Sequence, residues 1–158
     1  MSVSSDYQQV LELAHLFGRA NDERTELAFD YIDRCLIEDV DMDYGLTGRW
    51  KGRELHKRVL KAAQTVFTFS HHIITGPIIQ IDGDRAHAEH MICAPHGVLA
   101  DGVLHTVWAG GVYLQDCVRT SHGWRVRRHK FKPTWADSNS GLLARVAEVV
   151  QAVIAEPV

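Results

Sequence analysis

Apolar residues in the first part of the chain recur every three or four positions, which is the spacing of helices that bury one face. This spacing predicts a first helix over residues 6–19, with Val10, Leu11, Ala14 and Phe17 on its buried side. A second helix is predicted after Asn21 and Asp22, and a third over residues 53–67. The chain therefore begins with a layer of helices.

Strand patterns dominate after residue 68, where Val, Ile and Thr are frequent and turn residues separate the runs. An earlier strand is predicted from Val40 to Leu46, because apolar and acidic residues alternate there. Asp82 and Gly83 predict a β-hairpin with a type I′ turn, and Ser121-His122-Gly123 predicts a second hairpin. Residues 142–153 predict a closing helix. Helices followed by strands predict an α+β fold, in which the helices cover one face of a curved, mostly antiparallel sheet.

Length and composition favour a single domain over residues 1–158, because 46% hydrophobic residues are enough for one core. A net charge of -3 gives no strong field to attract nucleic acid or an anionic membrane. The chain start lacks a basic and apolar signal pattern, and no apolar run approaches the roughly 20 residues that span a bilayer. We therefore expect a cytoplasmic protein that binds neither nucleic acid nor membranes.

Ten histidines make the sequence rich in candidate acids and bases. His90 and His96 alternate with small residues in one strand, so they share a face on which a cavity could form. His71 and His72 are adjacent, so in a strand only one of them can face the interior. The alternative for any single histidine is a hydrogen-bonded core or rim position. No H-E-x-x-H or Cys-rich spacing is present, and we expect no metal and no cofactor.

A set of short motifs spans nearly the whole chain. They are Asn21-Asp22, Asp43-Tyr44, Ser70-His71-His72-Ile73 before Asp82-Gly83-Asp84-Arg85-Ala86, His90 through Pro95-His96, and Gly111-Val112-Tyr113 through Gly123-Trp124-Arg125-Val126. Together they resemble the nuclear transport factor 2-like superfamily, in particular its SnoaL-like branch with scytalone dehydratase, bile acid 7α-dehydratase and hexachlorocyclohexane dehydrochlorinase. The resemblance implies a cone-shaped α+β barrel, with N-terminal helices packed on a strongly curved sheet and a C-terminal helix added.

The resemblance also implies site residues. In lyases of this family, an aspartate near the end of the first helix orients a histidine on the sheet, and the histidine removes a proton from carbon. Asp22 and His71 match, and we prefer His71 to His72 because an ungapped count back from Gly-Asp-Arg-Ala reaches it. Tyr44 and His96 match further active-site residues. The predicted substrate-binding residues are His90, Tyr113, Trp108, Ile73 and Phe17.

Some of these residues have simpler alternatives. Asp22 could be only a helix N-cap, and Tyr44 and Tyr113 could be core aromatics with hydroxyls at the surface. The chain also departs from scytalone dehydratase, because Gly111 and Tyr113 stand where that enzyme has a hydroxyl and an amide. Asn21 replaces a tyrosine. The departures imply a different substrate.

The predicted function is a cofactor-free lyase of the dehydratase type, acting on a small, mostly apolar, cyclic or polyketide-like substrate. His71, oriented by Asp22, would abstract a proton beside a carbonyl, a role worth roughly 100- to 10,000-fold in rate. An isomerase or cyclase would use the same step, and a non-catalytic ligand-binding or association subunit is the remaining alternative. We also expect a homo-oligomer, dimer or trimer, with the C-terminal helix over the pocket or in the subunit interface.

Overall fold

The computed structural model describes residues 3–156, with the side chains from Ser5 onward. Within that range there are four α-helices: α1 (Val3–Asp22), α2 (Leu27–Cys35), α3 (Arg53–Gln64) and α4 (Ala144–Ala155). The predicted helices are confirmed, with α1 longer and α3 shorter than expected. α3 ends early because the chain enters a strand at Phe67.

Seven strands form one sheet over the described residues. They are β1 (Leu36–Asp43), β2 (Arg49–Lys51), β3 (Phe67–Ser70), β4 (Ile73–Asp82), β5 (Arg85–Ala100), β6 (Val103–Thr120) and β7 (Gly123–Ala136). Their order is β2-β1-β7-β6-β5, and β3 and β4 pair with successive parts of β5. Among the strand pairs within residues 3–156, only β1–β7 is parallel. The predicted α+β class and mostly antiparallel sheet are confirmed, but the sheet is open and does not close into a barrel.

Both predicted hairpins are present, and one turn type differs from the prediction. The β4–β5 hairpin turns through Gly83 and Asp84, and of these only Gly83 has a positive φ, at 57°. A type I′ turn needs positive φ at both loop residues, whereas a single positive φ at the first is typical of type II′. The predicted type I′ turn is therefore wrong.

β1 also ends earlier than predicted. The strand stops at Asp43, whose carboxylate accepts a hydrogen bond of 2.9 Å from the Gly45 backbone N–H. This local bond competes with the strand and starts a turn, so Leu46 lies in a short 3-10 helix with 98% of its surface exposed. The predicted burial of Leu46 is wrong, while Tyr44 stays on the inner side of the molecule.

A polar cluster joins the start of α1 to the β6–β7 hairpin. Arg119 donates two hydrogen bonds of 2.8 Å to the Asp6 carboxylate, and the indole of the buried Trp124 donates a third at 3.1 Å. The bonds from Arg119 and Trp124 lower the pKa of Asp6 to about 2. The cluster holds α1 against the inner face of the sheet, where most of the core lies.

The outer face of the sheet remains uncovered by helices. Alternate residues of β5 and its neighbours point outward, and several of them are exposed apolar side chains: Ile73, Ile78, Met91, Trp108 and Trp135. Such a surface suits the expected homo-oligomer, which stays a prediction. None of the helices within residues 3–156 has the length and apolar character needed to span a membrane.

Candidate active site

A cavity of about 210 Å³ lies between the inner face of the sheet, α3 and the C-terminal segment. Its wall is mostly apolar, with Leu60 from α3, Ile92 and Ala94 from β5, and Phe131 from β7. Val146 of α4 completes one side of the wall. The C-terminal helix therefore lies at the pocket, which is one of the two positions predicted for it. The small side chains on β5 leave the space that a ligand would need.

Asp22, the last residue of α1, contacts His72 in the short link between β3 and β4. One carboxylate oxygen accepts a hydrogen bond of 2.8 Å from the His72 backbone N–H, and the other lies 2.6 Å from Nδ1 of the ring. The side chains of His72 and Asp22 are only 10% and 16% exposed. Two contacts to one carboxylate fix both the position and the orientation of the imidazole.

These contacts also determine which ring nitrogen of His72 is free. Burial raises the pKa of the Asp22 carboxyl, but the hydrogen bonds and charge interaction with His72 outweigh burial, so the pKa lies below its usual value. The ionised carboxylate can only accept hydrogen bonds, so the neutral imidazole of His72 must carry its proton on Nδ1. His72 lines the cavity. Its Nε2 is therefore left as an acceptor within a largely enclosed site.

The predicted partner of Asp22 was the neighbouring histidine, and the structure corrects this. His71 is exposed, and its backbone N–H donates to the Pro95 carbonyl at 3.1 Å. β4 contains a β-bulge, in which Gly76 and Pro77 oppose the single residue His90 of β5. The extra residue reverses the alternation of side chains, so an ungapped count from the β4–β5 turn reaches the wrong histidine.

His96 on β5 shares the cavity wall with His72. The two rings meet edge to face, with centroids 5.5 Å apart, and Phe67 packs against His96 at 4.5 Å. Burial lowers the pKa of His96 to about 4, with a further lowering by His72, despite the nearby charge of Asp22. His96 is therefore neutral at neutral pH and adds a polar group without adding a charge.

Tyr44 and Tyr113 contribute hydroxyl groups to the same cavity. In the part of the chain that the structure describes, neither hydroxyl hydrogen-bonds to a protein group. Burial raises the pKa of both phenols, so both stay protonated and can donate hydrogen bonds to a ligand. Their rings pack against the buried imidazole of His129, with centroid distances of 5.5 Å and 4.6 Å.

The structure thus brings together four of the nine predicted site residues. Tyr44, His96 and Tyr113 line the cavity, and Asp22 holds His72 at its wall. The other five lie elsewhere: His71, Ile73, Trp108, Phe17 and His90. None of these five lines the cavity, for two different reasons.

Three of the five point away from the cavity. His71 and Ile73 have the same orientation because they are two residues apart, and Trp108 pairs with Pro95 on the outer face. Phe17 of α1 and His90 of β5 are fully buried where α1 packs on the sheet, and neither belongs to the cavity wall. Their positions come from how α1 packs on the sheet, which alternation alone does not predict.

Several wall residues were absent from the predicted site. Ser70 precedes His72 by two residues, so it shares the inward orientation, and its hydroxyl donates to the Asn21 carbonyl at 3.1 Å. A strand count that started at His72 would have found it. Gln64 belongs to α3, and no local pattern could place it at the cavity. Within residues 3–156, no group of three or more His, Cys, Asp or Glu side chains is arranged to hold a metal ion.

Comparison with known proteins adds a sequence relationship. The family model described as SnoaL-like domain matches residues 2–130. The uncharacterized protein Rv2910c of Mycobacterium tuberculosis is 30% identical over 125 residues, which cover 78% of this chain and 82% of that protein. Its description gives no activity, so the relationship concerns ancestry and fold.

Three solved structures have similar folds. The Kfla4162 protein from Kribbella flavida superposes with a TM-score of 0.78 at 22% identity, covering 95% of this chain and 99% of its own. A candidate scytalone dehydratase from Novosphingobium aromaticivorans gives 0.73 at 16% identity, covering 84% and 87%. A type 2 hexachlorocyclohexane dehydrochlorinase gives 0.71 at 14% identity, covering 84% and 88%. At these identities the likeness shows a shared fold.

Proposed function

The chain belongs to the SnoaL-like domain family within the nuclear transport factor 2-like superfamily, and from that premise we propose that it is a cofactor-free lyase of the dehydratase type. Its substrate is a small, uncharged, mostly apolar cyclic or polyketide-like ketone. His72, oriented by Asp22, is the general base. This replaces the assignment of the base to His71.

The observation that carries the proposal is the double contact between Asp22 and His72 at the cavity wall. The contacts of 2.8 Å and 2.6 Å leave Nε2 as the one basic nitrogen of the ring, and the cavity of about 210 Å³ beside it offers space for a compact ligand. A general base needs a fixed tautomer and a route to the substrate proton, and this arrangement supports both. A purely structural histidine would have no need to expose its lone pair to a cavity.

The reaction is balanced without a cofactor. His72 Nε2 takes a proton from the carbon beside the substrate carbonyl, and the electrons of that C–H bond pass into an enolate. The enolate then forms the C=C bond as the β C–O bond breaks, and the hydroxide leaves with the proton returned from His72. The products are an unsaturated ketone and water, and the base regains its neutral form.

Developing charge on the carbonyl oxygen needs hydrogen-bond donors that face the cavity. Tyr44 and Tyr113 supply two neutral hydroxyls, and their raised pKa values keep them from losing their protons. His96 is held neutral and offers one further N–H beside His72. We assign Tyr44 and Tyr113 to the oxygen of the enolate, and His96 to the leaving hydroxyl.

The charge of the cavity favours an uncharged substrate. Among the described residues that form its wall, none is a lysine or an arginine. A carboxylate or phosphate on the substrate would lose its hydration without gaining an ionic partner, which costs several kcal/mol. The ionised carboxylate of Asp22, behind the wall, would repel an anion further.

The test is a panel of cyclic β-hydroxy ketones, with formation of the conjugated enone followed by absorbance. His72→Gln should lower the rate on an active compound by roughly 100- to 10,000-fold, while His71→Gln, its exposed neighbour, should leave the rate unchanged. Equal rates for the His72 variant and the unmodified protein would contradict the proposal.

An isomerase or a cyclase would begin with the same proton abstraction, so a second measurement separates the outcomes. Ketones that lack a leaving group are incubated in D₂O, and exchange of the α-proton is followed by NMR. Exchange that depends on His72 without any elimination in the first assay would favour the isomerase. No exchange and no elimination, with tight ligand binding, would favour a non-catalytic binding protein.

A further inference from the structure

Arg24 lies just behind the cavity wall, and its guanidinium contacts two elements that form the wall. We infer that Arg24 is a positioning residue for the Asp22–His72 pair, because it ties the segment just before His72 to the end of α3 and, through Ser70, to the end of α1. The inference rests on the proposed function for its significance, but its test does not depend on activity.

The geometry of the Arg24 contacts supports this role. Nη2 donates to the Ser70 hydroxyl at 3.1 Å, and Nη1 donates to the Gln64 carbonyl at 3.3 Å. Gln64 is the last residue of α3, and Ser70 is the last residue of β3. One side chain therefore joins two ends that are six residues apart in sequence and that both reach the cavity.

The same hydroxyl continues the link to α1. Ser70 accepts from Arg24 and donates to the Asn21 carbonyl at 3.1 Å, so its single proton and one lone pair are both used. Asn21 directly precedes Asp22, and Ser70 precedes His72 by two residues. The Ser70 bridge thus runs parallel to the Asp22–His72 contacts and holds the same two segments together.

The loop from α1 to α2 is fastened on its other side as well. Gln64 Nε2 donates to the Glu23 carbonyl at 2.7 Å, and the Glu23 carboxylate accepts from the backbone of Arg24 and Thr25 at 3.0 Å. The backbone at Arg24 is therefore fixed, which lowers the entropy lost when its long side chain is ordered.

The charge of Arg24 acts on the site in a second way. The titratable groups around it are Asp22 at the end of α1, His71 and His72 between β3 and β4, and His96 on β5. Burial is the main reason that the pKa of His96 is low, and the positive charge of Arg24 lowers it further. Arg24 thus favours the neutral form of His96.

The experiment uses ¹⁵N-labelled protein without any substrate. The His72 Nδ1–H proton, bonded to a carboxylate, is observed directly with its exchange rate against water, and the titration midpoint of His96 is followed by imidazole shifts. Arg24→Gln, Arg24→Lys and Ser70→Ala are compared with the unmodified chain. Arg19→Gln, which changes an exposed arginine in the last turns of α1, is the matched control.

We expect Arg24→Gln to speed exchange of the His72 proton at least about tenfold, and to raise the His96 midpoint. Arg24→Lys retains the charge and should restore the midpoint. Ser70→Ala breaks the bridge but keeps the charge, so it should speed exchange without moving the midpoint. Arg19→Gln should change neither quantity.

Unchanged exchange in Arg24→Gln, or an equal effect of Arg19→Gln, would overturn the positioning role. A midpoint shift without faster exchange would also overturn it, since Arg24 would then act through charge alone. A His96 midpoint raised as far in Arg24→Lys as in Arg24→Gln would overturn the charge effect. If exchange changes as expected but every assay of the ketone panel is negative, the inference about Arg24 stands and the proposed lyase function fails.

Discussion

The Asp22 carboxylate receives two hydrogen bonds from one residue, His72, through its backbone N–H at 2.8 Å and its ring Nδ1 at 2.6 Å. An aspartate suits this position because both oxygens of the ionised carboxylate accept hydrogen bonds. An asparagine has one oxygen and one NH₂ group, so one of the two His72 donors would face another donor. The carboxylate therefore sets the tautomer as well as the position.

We predict that Asp22→Asn lowers kcat on an active ketone by about 100- to 10,000-fold, because Nε2 of His72 is then protonated in part of the molecules or the ring leaves its position. The ¹⁵N shifts of the His72 ring report the tautomer directly. Asp30→Asn, on the exposed side of α2, is the control for the loss of one carboxylate. Full activity of Asp22→Asn would refute the assigned role of Asp22.

A second prediction concerns the pH dependence of stability. His56 is 2% exposed, and neither ring nitrogen has a partner among the described residues. The ring stacks between Phe17 at 5.5 Å and Trp50 at 5.8 Å. Burial lowers the pKa of His56 to about 3, from 6.5 in an exposed histidine. Below about pH 6.5, His56 is protonated in the unfolded chain but stays neutral in the folded chain. The free energy of unfolding therefore falls as the pH falls.

Because of His56, the free energy of unfolding decreases by up to about 1.4 kcal/mol for each unit that the pH falls between about 6 and 4. His56→Phe should remove that part of the slope and raise the free energy of unfolding at pH 7 by about 1 kcal/mol, since a buried polar group without a partner is replaced by an apolar ring. Urea denaturation at pH 7 and pH 5 measures both effects. His122→Gln, in the exposed β6–β7 turn, should leave the slope as it is. An unchanged slope in His56→Phe would show that His56 accepts its proton in the folded state.

The outer face of the sheet leads to a third prediction. Met91 of β5 is 62% exposed on this face, among other apolar side chains. Glu89 of β5 and Lys130 of β7 lie in one row across the sheet, because both pair with Leu114 of β6. A two-fold axis along β6 would place β5 of one copy over β7 of a second copy, so that Glu89 of each copy meets Lys130 of the other.

We therefore predict a two-fold dimer, with twice the chain mass of 17.8 kDa by light scattering. Met91→Glu should weaken the dimer by about 100-fold or more, because an unpaired charge would be buried in the interface. Leu46→Glu, which is 98% exposed in the 3-10 turn away from this face, should have no effect. A monomer, or a trimer that survives Met91→Glu, would contradict the predicted interface.

The sequence carried enough local information for most of the fold. Helix α1 and the β4–β5 hairpin were each predicted near their observed positions, because each depends on a pattern of residues that are close together in sequence. The long antiparallel pairing of β5 with β6 is determined by the tight turn that joins the two strands, because the turn sets the register for every later pair. The open edge of the sheet was not predictable, because closure depends on the distance between strands that are far apart in sequence.

The candidate site was only partly predictable, and the reason lies in one bulge. Ile79 and Ile81 face inward in β4, and strict alternation from them would place His71 inward. The dipeptide Gly76-Pro77 interrupts a strand pattern, which is the local signal of a bulge. Recognition of that signal would have selected His72. Wall residues such as Gln64 and Val146 come from helices whose packing no local pattern determines.

The bulge also allows a direct test of what selects the histidine. Deletion of Gly76 removes the extra residue, so Thr75 stays opposite Met91 and Ile78 stays opposite Glu89. The residues before the bulge then keep their places along β5, with His72 beside Asp22 and Ile74 packed against the core. The deletion should cost about 1 to 3 kcal/mol of stability, because Pro77 must then adopt a regular strand conformation.

In this deletion variant, we predict that the slowly exchanging Nδ1–H proton still belongs to His72. His72→Gln should abolish the signal and any ketone activity in both backgrounds, whereas His71→Gln should leave them unchanged in both. The His71 substitution is the control, because a general loss of structure would affect both substitutions equally. If the proton moves to His71 after the deletion, then the strand has kept its bulge with another residue and shifted by one position, and the bulge rather than the contacts of Asp22 and Ser70 selects the histidine.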